Sequence, residues 1–492
     1  MEIGFDNKKY VKIQSAKIKE RIKMFDKLYL EVGGKLFDDT HAERVLPGFD
    51  LNVKIKMFQE LKDDLEIILC INANSISQNK RREEYNITYS SEVLRLIDNL
   101  RKLGFTINSV VITLFDNQNG VDKFIKKLEL NKVKTYIHKP TKGYPTDVDT
   151  IVSDEGYGAN PYIKTTKKLI LVNAPGPGSG KLATCLSQLY HEHKMGVNAG
   201  YAKYETFPVW DLPLTHPVNV AYEAATADLH DINMIDPFHL EKYGITAVNY
   251  NRDIELFPVL KSILKKITKK DIYYSPTDMG VNKIGECIIN DEVLQDASKK
   301  EIVRRYFNAM KEYKLGTGSI EIATRIKVLM NNLHIDENYF DIRKAAQKKA
   351  KQKNVHVASL KLDNGKIITG KESSLLSPVA ACIINAIKVQ SDIPDKIKLL
   401  PKNVLEPIKK IKKNELHVNN TRLELSELLI TLSICSVTNP TVENALSHLS
   451  DLKGIDMYIT YILPTSELSM IKKLGINVIC EPNYYSDNTF IY

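Results

Sequence analysis

The sequence predicts an α/β protein. It should have an N-terminal doubly wound, mostly parallel sheet with a glycine-rich phosphate-type loop, a helical middle region, and a smaller C-terminal α/β domain. Three observations predict it. Between residues 28 and 138, short and nearly continuous apolar runs alternate with stretches of helical spacing. Strands of that kind are buried on both faces, as parallel sheets require. The stretch "LVNAPGPGSGKLATCLSQLYHEHKMG", Leu171 to Gly196, reads as strand, glycine loop and helix. From residue 271 the texture changes to successive helices, then to a hairpin and renewed alternation. With 492 residues the chain is too long for one core, and the expected divisions are 1–270, 271–350 and 351–492.

Taken in order, "KLYLEV" is the first strand and runs into Gly33 and Gly34. "EIILCIN" is the second. "SEVLRLIDNLRKLG" is a helix ending on Gly104, a natural C-cap. "SVVITLF" is the third strand, "VDKFIKKLELN" a helix, and "VKTYIH" the fourth strand. "LILVNA" is the fifth and leads into the glycine loop; "AGYAKYETFPVW" adds another extended segment. Three helices follow: "DEVLQDASKKEIVRRYFNAMKEYKLG", "GSIEIATRIKVLMNNL" and "DENYFDIRKAAQKKAKQK". "NVHVASLKLDNGKIITG" is a hairpin turning on Asn364-Gly365. The helices "LLSPVAACIINAIKV", "LELSELLITLSICS" and "TSELSMIKKLG" and the strands "DMYITYILP" and "INVICEP" complete the second α/β unit.

Composition narrows the function classes. The chain is 43% hydrophobic and 26% charged, ordinary for a globular protein, and no run approaches membrane-spanning length. The six cysteines are scattered without a CxxC pair, so neither a zinc knuckle nor a redox pair is indicated. The start, "MEIGFDNKKYVKI", lacks signal-peptide or transit character. A cytoplasmic protein with reduced thiols is expected. The net charge of +9 sits in lysine runs such as "KSILKKITKK" and "KKIKKN". Without interleaved aromatics or arginines these read as solvated faces, so no nucleic-acid partner and no membrane partner is expected.

The glycine loop carries the chemistry. In such loops, glycines turn consecutive N–H groups inward, the following helix adds its dipole, and a lysine neutralises phosphate. Gly176, Gly178, Ser179, Gly180 and Lys181 supply these parts. Two positions depart from the standard pattern. Pro175 stands where the first glycine belongs, and Leu182 replaces the hydroxyl that binds magnesium; Thr184 lies two residues later on another helix face. A phosphate site, a magnesium-nucleotide site and a proline-stiffened turn are therefore all open at this point. The strand ends add Glu31, Gly33, Gly34 and Lys35, then Asn72 and Asn74, Asp116 and Asn117, His138 and Lys139. Ligands of open parallel sheets bind outside those ends.

Two further stretches stand out. "YPTDVDTIVSDEGYG" clusters Asp147, Asp149, Asp154 and Glu155, suited to a cation, a basic substrate or simply an acidic turn. Residues 205–255 hold the single tryptophan, Trp210, and Asp211, His216, Asp228, His230, Asp231, Asp236, His239, Asn249, Arg252 and Asp253. Irregular polar sequence of this kind is poor core and good pocket material, although His and Asp also serve as caps. "YHEHKMG" is no zinc-peptidase site: His191 and His193 are two apart and point about 200° from each other on a helix.

Long blocks of the chain resemble a known bacterial family. They include "LYLEVGGKLFDDTHAERVLPGF", "GYPTDVDTIVSDEGYG", "NAPGPGSGKLATCLSQLYHEHKMG" and "SPTDMGVNKIGE". The chain is similar throughout to domain-of-unknown-function family eighteen-forty-six, also called uncharacterised protein family three-seventy-one. The resemblance implies three parts, the last similar in topology to the cytidine-deaminase fold, and it implies no reaction. Zinc deaminases need H-x-E and P-C-x-x-C; the helix after "IITGKESS" carries no such His–Glu pair and the chain has no CxxC, so that domain would serve packing, oligomerisation or ligand binding.

The functional expectation is an enzyme binding a nucleotide or other phosphorylated small molecule, for phosphoryl transfer or nucleotide-dependent ligation. Gly176, Gly178, Ser179, Gly180, Lys181 and Thr184, with Lys35 across the crevice, are the expected cofactor-binding residues. Asp211, Asp228, His230, Asp236 and Arg252 are the expected catalytic ones. ATP or another nucleotide and magnesium are the candidate cofactors, with the metal's ligands open. The alternatives are a non-catalytic protein binding a phosphorylated metabolite, and a metal-dependent hydrolase. Size and a C-terminal domain without catalytic residues favour a homo-oligomer.

Overall fold

The computed structural model describes residues 2–82 and 87–485. These fall into two compact units, one running from Glu2 to Ser298 and the other from Lys299 onward. The first unit is built on six parallel strands: β1 (Lys27–Val32), β2 (Leu65–Asn72), β3 (Thr106–Thr113), β4 (Lys134–Ile137), β5 (Leu169–Asn173) and β6 (Ala199–Tyr204). Their order is β4-β3-β2-β5-β1-β6. The apolar runs do what their continuity predicts: Ile67 to Ile71 and Leu169 to Val172 are buried on both faces.

Helices cover the sheet. α1 (Asn7–Ile22) is capped by Asp6, which accepts the Lys9 N–H. α2 (Thr40–Val45) and α3 (Val53–Gln59) follow β1. α4 (Tyr89–Lys102) and α5 (Val121–Leu130) flank β3 in sequence. α6 (Lys181–Lys194) leaves the glycine loop, and its Cys185, Leu186 and Leu189 are buried against the sheet. A buried leucine contributes about 1.5–3 kcal/mol, so this stripe seats the helix firmly. α7 (Pro217–Ala225), α8 (Pro237–Tyr243) and α9 (Asn251–Thr268) complete the part that concerns the site.

The chain moves outward from β2 to β3 to β4, then returns to insert β5 between β2 and β1 before reaching β6 on the far side. Connections from β2 and from β5 thus run in opposite directions. In doubly wound sheets such a reversal marks the carboxyl edge as the place for a ligand-binding crevice. The glycine loop leaves β5 there, between the ends of β2 and β1.

The second unit has the long helices the sequence predicts, Asp291–Lys314 bridging the division, Ile320–Asn332 and Asp341–Lys353. Its sheet is mixed, with β7 (Val357–Lys361), β8 (Ile367–Lys371), β9 (Asp456–Ile459) and β10 (Asn477–Cys480) in the order β8-β7-β9-β10. β7 runs antiparallel to β8 and β9, and β9 is parallel to β10. The β7–β8 hairpin turns through Asn364-Gly365, with Gly365 at φ +81. Among the described residues no helix is long and apolar enough to cross a membrane.

Candidate functional site

The loop from Ala174 to Gly180 is shaped by neighbours on both sides. Gly178 and Gly180 are left-handed, at φ +68 and +77. A Cβ on Gly180 would lie 2.8 Å from Thr113, so only glycine fits where the loop meets β3. The Thr113 hydroxyl donates to the Ser179 carbonyl at 2.8 Å, and Asn72 Nδ2 donates to the Gly178 carbonyl at 3.1 Å. Ser179 is buried and its hydroxyl donates back to the Gly176 carbonyl. Gly176 lies against the Tyr89 ring, which leaves no room for a side chain. The carbonyls are thereby tied down to strand ends. The N–H groups are not: from Gly178 to Ala183 none has a protein acceptor among the described residues. The first turn of any helix leaves such donors; here the two glycines extend the run into the loop.

Lys181 is the first residue of α6, and its ammonium stands 3.8 Å from Glu31 Oε1. Glu31 ends β1 and is buried; it accepts a hydrogen bond from the Tyr201 hydroxyl at 2.8 Å. In register beside it on β6 is Lys203. The Lys203 ammonium pairs with Glu205 at 3.0 Å and also with Asp253, in the first turn of α9. Burial pulls this lysine down, but Asp253, Glu205 and Glu31 outweigh it and hold the ammonium well above its ordinary range. Burial pushes the Glu205 carboxyl up; Lys203 opposes, while Asp253 and Glu31 add to the rise. The Tyr250 hydroxyl lies 3.1 Å from Glu205 Oε2, and the Tyr222 hydroxyl 3.5 Å from that of Tyr250. Gly33 has Glu205 packed where its side chain would be. The result is a row of charged groups between the starts of α6 and α9: Lys181, Glu31, and Lys203 with both Glu205 and Asp253. A carboxyl raised by burial and by neighbouring carboxylates, beside a lysine, suits acid–base work.

The residues singled out from the sequence fall in several places. Arg252 is joined to this row: Asp231 lies 3.3 Å from it, and Asp253 and Glu205 also act on it. Asp236 caps α8, accepting from the N–H groups of Phe238 and His239 at 3.1 Å, and its other oxygen takes the N–H and hydroxyl of Thr277. Asp211 packs against Gly285, and burial pushes its carboxyl up. Asp228 and His230 are exposed on a short turn, with His230 left-handed at φ +58. Thr184 is fully buried beneath the loop, within 3.5 Å of the Cys70 thiol. Lys35 stands near Asp39 on the turn after β1.

The other two sequence features resolve into local bonds. Asp147 caps a short helix, Asp149 pairs with Lys266, Asp154 with Lys194, and Glu155 with Lys142. His191 meets the Asn160 carbonyl at 2.8 Å and His193 the Ala199 carbonyl at 2.7 Å, on different sides of α6. Among the described residues no group of three or more His, Cys, Asp or Glu is placed to hold a metal ion.

Sequence reading passed over Lys203 and Glu205 as a pair. Part of the signal was present, in charges two apart in "AKYE" that an extended chain turns to one side; their meeting with Glu31 comes from the β1–β6 pairing.

Comparison with known proteins places the chain in a family. Residues 3–334 match the model for Domain of unknown function DUF1846, N-terminal, and residues 338–490 the model for its C-terminal domain. A UPF0371 protein of Clostridium botulinum is 52% identical over 499 residues, covering 100% of this chain and 99% of that protein. One from Clostridium tetani matches to the same extent, and one from Clostridioides difficile is 52% identical over 501 residues, covering 100% of each. By sequence along its whole length, the chain belongs to the DUF1846 (UPF0371) family.

Proposed function

We propose that the protein is an enzyme that binds a nucleotide or another phosphorylated small molecule at the carboxyl edge of the six-stranded sheet. The reaction class is phosphoryl transfer or nucleotide-dependent ligation. The observation that carries the reading is the loop itself: a left-handed Gly178–Gly180 turn with a run of free N–H donors, and a lysine at the helix start whose counter-ion stands 3.8 Å away. Donors arranged this way donate to phosphate oxygens with the helix dipole behind them. Lys181 would exchange its loose pairing with Glu31 for the phosphate. Glu205, held beside Lys203 and Tyr250, is the group we assign to proton transfer; Arg252, which pairs with Asp231 and feels the charge of Asp253 and Glu205, is the cation we assign to stabilising developing charge. The reading makes no use of Asp211, Asp228, His230 or Asp236.

Magnesium, where a nucleotide brings it, would rely on carboxylates and phosphate oxygens, because Leu182 occupies the hydroxyl's place. That leucine is also what favours the second reading, a non-catalytic protein that senses a phosphorylated metabolite. The second unit fits either. Its strand order, with β7 antiparallel to its neighbours, supports a deaminase-like topology without deaminase residues, and we assign it to packing or self-association.

The test is a thermal-shift screen against nucleotides, sugar phosphates and inorganic phosphate, with and without magnesium, on wild type and Lys181→Ala. A ligand at a hundred times its Kd stabilises by about 2.7 kcal/mol. A shift lost in the variant supports the loop as the phosphate site; a shift unchanged by the variant overturns it. Turnover of the ligand found, lost in Glu205→Gln with binding retained, separates the enzyme from the sensor.

A further inference from the structure

Lys54 stands apart from the lysines on the surface of this chain. It lies in the first turn of α3 and is 1% exposed. Its ammonium meets one protein acceptor among the described residues, Asp39 Oδ2, at 2.6 Å. An ammonium carries three donors. Two are left without a protein partner in a place closed to bulk water, where an unmade hydrogen bond to a charged group is costly. Asp39 is itself fully engaged, with its second oxygen accepting the Ala42 N–H at 3.2 Å to cap α2. Burial works against its charge, but Lys54 overcomes that and keeps the carboxyl below its usual range, with His41 and Lys35 assisting.

The ammonium faces Gly34. This residue is left-handed, at φ +69, and exposed on the crevice side. A Cβ built on it would lie 3.9 Å from Lys54 Nζ, with no other heavy atom within 4 Å. The Gly34 N–H likewise has no acceptor among the described residues. Open space, a buried ammonium with spare donors and a free backbone N–H therefore meet at the turn after β1. Lys54 and Lys35 stand there beside Asp39 and Asp38, so the buried ammonium, rather than a net positive charge, is what the turn offers an anion. β1 is the strand next to β5, so the turn and the glycine loop leave the sheet side by side.

We infer that the Gly34 turn and Lys54 form a second anion subsite of the same crevice. The ligand then carries two anionic groups: a phosphate on the Gly178–Lys181 loop and a carboxylate or second phosphate on Lys54 and the Gly34 N–H. The two-anion ligand rests on the phosphate reading of the loop; the subsite itself does not.

The experiment keeps the two apart. Binding of inorganic phosphate and of phosphonoacetate, phosphonopropionate and phosphonobutyrate is measured by calorimetry on three proteins: wild type, Lys181→Ala, and Lys54→Met combined with Asp39→Asn. The paired change removes both charges together, leaves no lone buried carboxylate, and keeps an Asn cap on α2. Wild type should bind the best phosphonocarboxylate about tenfold more tightly than phosphate, a gain of about 1.4 kcal/mol. The Lys54→Met/Asp39→Asn protein should lose that gain and keep its phosphate affinity. A gain that survives in this variant, or the absence of any gain in wild type, overturns the two-anion ligand and leaves the loop reading standing. Phosphate affinity unchanged by Lys181→Ala defeats the loop reading instead. Malonate titrated into Lys181→Ala then decides the subsite alone. Stabilisation lost when Lys54→Met/Asp39→Asn is added upholds it, and no stabilisation, or one that persists, means that water fills the space.

Discussion

The sharpest prediction concerns His138, at the end of β4. The side chain is 4% exposed, and its Nε2 has no hydrogen-bond partner among the described residues. Burial pulls its pKa down from 6.5 to about 4; the Pro161 carbonyl opposes and His191 adds to the fall. A displacement of that size is worth about 3 kcal/mol between the two protonation states. The folded value lies below the unfolded one, so the unfolded chain takes up a proton first as pH falls. The stabilising contribution is full above pH 6.5 and is lost progressively down to about 4. From pH 7 to pH 5 the loss amounts to about 2 kcal/mol. Urea unfolding read by the fluorescence of Trp210, the one tryptophan in the chain, reports the unit that contains His138. Wild type should lose about 2 kcal/mol over that interval relative to His138→Leu. A difference between the two proteins that is the same at pH 7 and pH 5 would refute a buried, neutral His138.

The remaining predictions probe the crevice and its frame. Gly180→Ala meets Thr113 at 2.8 Å as well as left-handed strain, so it should destabilise by more than about 1–2 kcal/mol and abolish phosphate-dependent stabilisation. Gly178→Ala meets nothing within 4 Å, so thermal unfolding should show the strain alone; equal costs at the two positions would argue against the Thr113 contact. Asp236→Ala strips α8 of its cap and Thr277 of its acceptor, for a loss of about 2–4 kcal/mol, with phosphate affinity unchanged. If that affinity falls as it does in Lys181→Ala, Asp236 belongs to the binding site. Glu205→Gln tests a raised carboxyl. Its contribution is full below the ordinary value of 4.5 and is lost as pH rises through the folded one, so wild type should weaken relative to the variant as pH rises above 4.5. A parallel pH profile for the two proteins would contradict this.

The boundary between what was legible and what was not follows the range of the physics. "KLYLEV", "EIILCIN" and "LILVNA" read as buried strands because burial on both faces writes itself into every residue of a short run. The glycine loop was legible for a similar reason, since left-handed positions at Gly178 and Gly180 are a local demand. Pairing order is not local. Nothing in the sequence places β5 between β1 and β2, yet that insertion sets Lys181 against Glu31, and the β1–β6 pairing sets Glu31 beside Lys203. The histidines and aspartates of residues 205–255 drew attention by type. The structure divides them between caps, exposed turns and the crevice, a division that depends on which element each one starts.

Lys54 shows the same limit most plainly. In "VKIKMFQ" apolar and charged residues alternate over the first positions, which is the pattern of a half-exposed strand. The segment is a short helix instead, with Val53, Lys54, Ile55, Met57 and Phe58 all buried. Helical period cannot put five of seven residues inside by one-sided amphipathicity; tertiary packing does it, and it takes a lysine along. An ammonium is carried into such a place only with compensation, because its desolvation costs several kcal/mol even after relaxation. Asp39 supplies part of that and no other protein group among the described residues supplies more. The ammonium lies near the Gly34 turn, where a Cβ would meet only Lys54 Nζ, at 3.9 Å. A lysine that merely balanced Asp39 would be as well placed at the protein surface, where the pair would be solvated. The proposed second anion subsite would account for its position under Gly34.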